Sequence, residues 1–355
     1  MAKYTSIEIC AGGGGQALGL HQAGFSHCAL VEIDAHACET LRFNNFHHTL
    51  GWKNIIEGCV QHFAKYSAST YKNIDLVAGG VPCPPFSKAG KQLGKNDERD
   101  LFPTAIEIVK ATSPKAVMLE NVSGLLDESF RSYREEINFS FERMGYDTFW
   151  KLHNASDYGV PQLRPRVVLV ALKKRYSCYF QWPKNFTSPP TVGEALYDLM
   201  ASKGWEGAKE WQKKANRIAP TLVGGSKKHG GPDLGPTRAR KAWQELHING
   251  SCIGNEPPGK GFKGYVTRSG IIKEGFDDMP LLTLEMAARI QGFPDWWKFS
   301  GKKTAAYRQI GNAFPPPVAK AIGSQICQAL DTAESLEIIQ NDLFENNIDQ
   351  ISSIA

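Results

Sequence analysis

Over the first 175 residues, short apolar runs alternate with amphipathic stretches, the pattern of strand and helix units that builds a mostly parallel sheet with helices on both faces. The runs predict strands at 6–10, 27–32, 76–79, 116–120 and 167–172, and helices at 16–23, 35–43, 101–110 and 133–144. Sheets of this α/β kind take ligands at the carboxyl ends of their strands. The pattern breaks at Trp182, where Pro183, Pro189 and Pro190 follow. Residues 224–275 then hold 12 glycines in 52 positions with little periodicity, which reads as a loop-rich second domain. Trp205, Trp211, Trp243, Phe262 and Tyr265 are too many aromatics for a disordered linker. Helical spacing returns at 284–290 and 318–330, with a turn at Gly292-Phe293-Pro294 between them. The expected organisation is a first domain at 1–182, a second domain at 183–280, a return to the first domain at 281–330, and an acidic tail at 331–355.

Composition adds limits. A chain of 355 residues can bury a core without disulfides or metal. With 42% hydrophobic and 22% charged residues it reads as globular. The N-terminal residues lead straight into a strand rather than a signal peptide, and no apolar run approaches the roughly 18 residues that span a bilayer, so a cytoplasmic protein with no membrane contact is expected. The eight cysteines form no C-x-x-C pair, which predicts reduced thiols and no metal site. Charge is uneven. The tail carries six acids and no Lys or Arg, so the net +5 of the whole chain becomes +5 + 6 = +11 over residues 1–330. Residues 203–241 hold ten Lys or Arg against three acids, a surface that suits a polyanion, although charge alone does not decide for nucleic acid.

Four segments carry candidate chemistry. Residues 7–17 read as a strand, four glycines (Gly12 to Gly15) and a helix, with Glu32 closing the next strand 20 residues beyond Gly12. Glycines let the backbone approach a ligand and the acid can take ribose hydroxyls, so an adenosine-containing cofactor is expected, either a dinucleotide or S-adenosylmethionine. Residues 74–87, IDLVAGGVPCPPFS, present Cys83 between prolines at the end of a strand, where a nucleophile belongs and a buried structural thiol does not. Residues 115–122, KAVMLENV, end a strand with Glu120 and Asn121, and residues 154–172 alternate Arg164 and Arg166 before another apolar strand, placing both on one side of the chain.

Taken in order, EICAGGGG, VEID, GGVPCPPFS, ENV, QLRPR and YRQIGNAF resemble the ordered motifs of the cytosine-5 DNA methyltransferases of bacterial restriction-modification type, over residues 7–323. The resemblance implies a Rossmann-like, S-adenosylmethionine-dependent catalytic domain, a smaller loop-rich target-recognition domain, and a cytosine flipped out of double-stranded DNA. It makes Cys83 the nucleophile on carbon 6 of the ring, Glu120 the acid at ring nitrogen 3, Asn121 a support for the Cys83 segment, and Arg164 and Arg166 the residues that position Glu120 and the base. Cofactor contacts are implied for Cys10, Ala11, Gly12, Gly13, Gly15, Glu32, Ile33, Cys59, Val60, Gly80, Pro82, Leu101, Asn312 and Ala313, with S-adenosylhomocysteine as product. DNA contacts are implied for Ser87, Lys88, Lys91, Arg99, Gln162, Thr221, Gly224 and Gly225. A monomer is expected, with a restriction endonuclease as a separate companion. The chain departs from the family where Cys10 replaces the usual Phe, Cys59 a frequent acid, and Glu285-Met286 an Arg-Glu pair. Rival readings are a transfer-RNA cytosine methyltransferase, whose usual Cys-Phe-Thr signature is absent, a catalytically silent DNA-binding homologue, which would tend to lose the nucleophile, and an NAD-dependent dehydrogenase, which gives Cys83 and Glu120 no work.

Overall fold

The computed structural model describes residues 3–82, 100–184, 186–225, 231–266 and 272–352. Cys83, Ser87, Lys88, Lys91 and Arg99 lie outside the described residues. The chain begins β1 (Tyr4–Ile9), α1 (Gly15–Ala23), β2 (Phe25–Glu32), α2 (Ala35–His47), β3 (Asn54–Glu57), α3 (Val60–Tyr66), β4 (Leu76–Gly79), α4 (Phe102–Thr112) and β5 (Ala116–Val122). It continues α5 (Arg131–Arg143), β6 (Tyr146–Asn154), β7 (Pro165–Lys173) and the single turn α6 (Lys174–Ser177). The second region holds α7 (Val192–Ala201), α8 (Ala208–Lys214), α9 (Thr237–Gln244) and a hairpin of β8 (Gly264–Val266) and β9 (Ile272–Asp277). The chain then forms α10 (Leu284–Ile290), α11 (Lys303–Asn312) and the long α12 (Pro316–Ser352).

Seven strands make one sheet in the order β3-β2-β1-β4-β5-β7-β6. The pairs from β3 across to β5 are parallel, while β7 runs antiparallel to both β5 and β6. The chain order reverses between β1 and β4, and a crevice opens at the carboxyl ends of strands at such a point.

Side chains alternate through the sheet. Ile7, Ile9, Val77, Val117 and Leu119 face α3, α4 and α5, whereas Leu76, Ala78 and Met118 face α1 and α12. Both faces are covered, which explains why the central strands read as unbroken apolar runs. The predicted strands and helices of the first 175 residues are all present, and the structure adds β3, α3 and β6. β3 and β6 are the two edge strands, with partly exposed side chains and therefore mixed polarity.

The second region is ordered around buried Trp205, Trp211 and Trp243. Its core is continuous with Leu282, Met286 and Ile290 of the α10 region and with Tyr307 and Ile310 of α11. Residues 282–313 share one core with the second region and with Leu18 of α1, Leu30 of β2 and Leu41 of α2, and α12 lies beside α1 on the sheet. The acidic tail continues α12 rather than starting afresh. Asp331 pairs with Lys3, Glu334 bonds Lys115 at 2.7 Å and Glu337 bonds Arg175 at 2.6 Å, so its first turns dock on the catalytic body.

Candidate active site

Strand register brings the predicted residues to one level. Ile9 stands opposite Val31 and Gly79, and Gly79 opposite Leu119. One residue further on, Cys10 follows β1, Glu32 ends β2, Gly80 follows β4, and Glu120 lies two residues before the end of β5, all at the crevice. A cavity of about 250 Å³ opens there, lined by Glu8, Cys10, Ala11, Gly12, Gly13, Gly15, Gln16, Glu32, Asp34, Ala37, Gly80, Glu120, Arg308, Gln309, Asn312, Ala313 and Phe314.

The glycines divide their work. Gly12 sits at φ +53°, and a Cβ there would project into open space, so its backbone can meet a ligand. A Cβ on Gly15 would collide with the Phe314 carbonyl, so this glycine is required by packing against the segment that precedes α12. Glu32 accepts from Gly12 N at 2.7 Å through Oε2 and from Ile33 N and Asp34 N at 2.9 and 2.8 Å through Oε1. Three backbone donors fix the carboxylate and hold the glycine turn against the end of β2. Cys10 is also in left-handed backbone at φ 53°, and burial with nearby Glu32 pushes its thiol up to about 12, so it stays protonated.

Five residues expected at the cofactor do not line this cavity. Ile33 points outward and is 69% exposed. Cys59 is the exposed N-cap of α3, and Val60 belongs to the core beneath. Pro82 and Leu101 instead meet each other, Leu101 N donating to Pro82 O at 3.1 Å. That bond joins the two ends between which residues 83–99 run.

Glu120 forms the chemical centre. Val122 of β5 faces Arg166 of β7, which places Glu120 and Arg166 on the same side of adjacent strands, and Arg166 Nε reaches Glu120 Oε1 at 2.8 Å. Burial raises the Glu120 carboxyl, and the charges of Arg166 and Arg164 pull it back only in part. The acid therefore keeps its proton to a higher pH than an ordinary glutamate. Asn121 donates from Nδ2 to Val81 O at 2.8 Å, tying the end of β5 to the chain two residues before Cys83. Gly80 leaves room for Glu120, since a Cβ there would stand 3.1 Å from Oε2.

Arg164 and Gln162 act differently from expectation. Arg164 is buried and donates to the carbonyls of Leu222 and Gly311, both at 2.9 Å. Its charge reaches Glu120 but its hydrogen bonds do not. Gln162 is fully buried, accepting from Leu222 N at 2.7 Å and donating to Gln291 Oε1 at 2.8 Å. Leu222 is thus held by its N–H from Gln162 and by its C=O from Arg164. Gly224 is buried where that segment crosses α11, and a Cβ on it would stand 2.6 Å from Asn312 Oδ1 and 2.7 Å from Arg308 O. Its smallness serves that crossing. Thr221 and Gly225 are half-buried at its two ends.

Sequence reasoning missed Glu8, Gln16, Asp34, Ala37, Arg308, Gln309 and Phe314. Signals existed for some. Glu8 is an acid set between Ile7 and Ile9 in a strand, and Arg308 and Gln309 fall inside YRQIGNAF, where Arg308 Nη2 bonds Asp34 Oδ2 at 3.1 Å.

A family model described as C-5 cytosine-specific DNA methylase matches residues 4–328. The chain belongs to that family. Relatives at high identity agree: the type II methyltransferase M.NgoMIV of Neisseria gonorrhoeae is 54% identical over 92% of this chain and 98% of its own. The type II methyltransferase M.NaeI of Lentzea aerocolonigenes is 53% identical over 93% and 76%. Among solved structures, the Entamoeba histolytica methyltransferase EhMeth aligns with a TM-score of 0.62 at 14% identity, covering 93% of this chain and 99% of that one. A Spodoptera frugiperda DNMT2 mutant aligns at 0.60 and 17%, covering 92% and 100%. These two bear on the fold, which is the Rossmann-like one of S-adenosylmethionine-dependent methyltransferases. The protein is thus a DNA cytosine-C5 methyltransferase, and the methylase cavity fits a cofactor that carries positive charge. Four carboxyl side chains line it, against Arg308 as the single Lys or Arg among its described lining residues.

Proposed function

We propose that this methylase modifies cytosine within a specific sequence of duplex DNA, with S-adenosylmethionine held in the cavity at the ends of β1, β2 and β4. The relatives named as type II methyltransferases support pairing with a separate restriction endonuclease, and the protein is read as a cytoplasmic monomer. Among the described residues no helix is long and apolar enough to cross a membrane. When bound, the cofactor supplies an electrophilic methyl group.

The protein does the rest. Cys83 adds to carbon 6 of an extruded cytosine while Glu120 donates its proton to ring nitrogen 3, so that electron density builds at carbon 5. Extrusion costs a few kcal/mol of unstacking. Arg166 holds the Glu120 carboxyl in place, and Asn121 fixes the carbonyl of Val81 next to the Cys83 segment. The Glu120 to Arg166 pair, set beside Gly80 and next to Asn121, which bonds Val81 two residues before Cys83, is the observation that carries the reading. The basic, glycine-rich residues 203–241 are assigned to DNA.

Duplex DNA containing 5-fluorocytosine tests the scheme, because that base cannot release its carbon 5 substituent and traps the enzyme. The wild type should form a complex stable to denaturation, and Cys83→Ser should form none. A trapped complex with Cys83→Ser overturns the assignment.

A further inference from the structure

Glu8 lies inside β1 on the face opposite to Ile7 and Ile9, is 1% exposed, and lines the cavity. Its carboxyl takes the backbone N–H of Ala17 in the first turn of α1, a helix whose N-cap, Gly14, has no side chain to offer. Its other oxygen, Oε2, is buried with no hydrogen-bond partner. The remaining acids of the cavity are engaged: Glu32 by three backbone N–H groups, Asp34 by Arg308, and Glu120 by Arg166. A buried acid beside other acids, with an oxygen left over, meets a role when positive charge enters.

Resting on the reading of this cavity as the S-adenosylmethionine site, we propose that Glu8 is the counter-charge for the cationic cofactor, protonated while the cavity is empty and releasing its proton to solvent as the sulfonium compound binds. Burial and the nearby Glu32 both hold the Glu8 carboxyl well above the usual range. The groups that face the same space are Cys10 just after β1, whose thiol stays neutral, Glu32 at the end of β2 and Asp34 beyond it, Glu120 from β5, and Arg308 from α11. Arg308 is the only cation among them, and it lies against Asp34. The bound ligand therefore brings the charge that lets the O–H bond of Glu8 break, and the proton passes to buffer with no change of oxidation state.

S-adenosylhomocysteine lacks the sulfonium charge and is the control. Titration calorimetry of the full chain, in two buffers of different ionisation heat, reads the protons released by each ligand. S-adenosylmethionine should release a sizeable fraction of a proton more than S-adenosylhomocysteine. Its affinity should strengthen with rising pH by up to about tenfold per unit, the limit for one linked proton. Glu8→Gln should abolish the excess release and flatten that pH dependence, whereas Glu120→Gln should leave both in place. Equal proton release by the two ligands in the wild type overturns the proposal, and so does an excess that survives in Glu8→Gln. The wild-type comparison stands even where the variant fails to fold. Failure of S-adenosylmethionine to bind at all overturns the cofactor reading itself.

Discussion

In the proposed scheme Glu120 acts on the base in its protonated form; burial raises its carboxyl above the usual range while Arg166, 2.8 Å away, opposes that shift. Removing Arg166 removes a charge that favours the carboxylate, so the proton is held more tightly. In Arg166→Ala the alkaline fall of the single-turnover methylation rate should move to higher pH, and a fall that stays or moves lower contradicts the assignment. Glu120→Gln should cost roughly 10²- to 10⁴-fold in that rate, the usual contribution of a placed general acid. Glu120 and Arg166 were both legible in the sequence, because a charged residue closing an apolar strand and an alternating arginine pair stand out from their surroundings. The partners of Arg164 were not. Leu222 and Gly311 lie 58 and 147 residues away, and alternation fixes the side of a strand without naming what waits there.

At the scale of elements, the central strands were readable because both faces are covered, whereas β3 and β6 hid behind the mixed polarity of sheet edges. The glycines of the second region were read as DNA-facing loop, yet Gly224 serves a crossing of chain over helix. A side chain on Gly311 of α11 would collide with the backbone of Gly224, so the two elements approach closer than any Cβ permits. Gly311→Ala should destabilise the protein by about 1–3 kcal/mol, the range for overpacking a filled interior. Thermal melting should show a fall of a few degrees, and an unchanged melting temperature would show that the crossing yields.

For the whole molecule, one core runs through the second region and into the return segment. Glycine content marks where regular structure thins, but cores follow contacts, and α10 and α11 join the second region to the first. The charge asymmetry also has a spatial form. Asp331, Glu334 and Glu337 are bonded to basic residues of the catalytic body, while Asp342, Glu345 and Asp349 lie further along α12. Deleting residues 338–355 removes three acids and no base, taking the net charge from +5 to +8. Non-specific duplex affinity at low salt should therefore increase, with little change in melting temperature, and the gain should vanish as salt screens the charge. Equal affinities in filter binding at low salt would show that the tail's charge is not felt at the DNA.

Leu222 is gripped at both its donor and its acceptor by side chains two positions apart on the segment that leads into β7, the strand carrying Arg166. A displacement on either side of this joint passes through the two peptide units that meet at Leu222, so the second region and the strand bearing Arg166 are coupled without slack. Anyone grafting a new reading surface onto this enzyme should cut downstream of the gripped residue, because a seam placed upstream would set Gln162 and Arg164 adrift together with the catalytic strand they introduce.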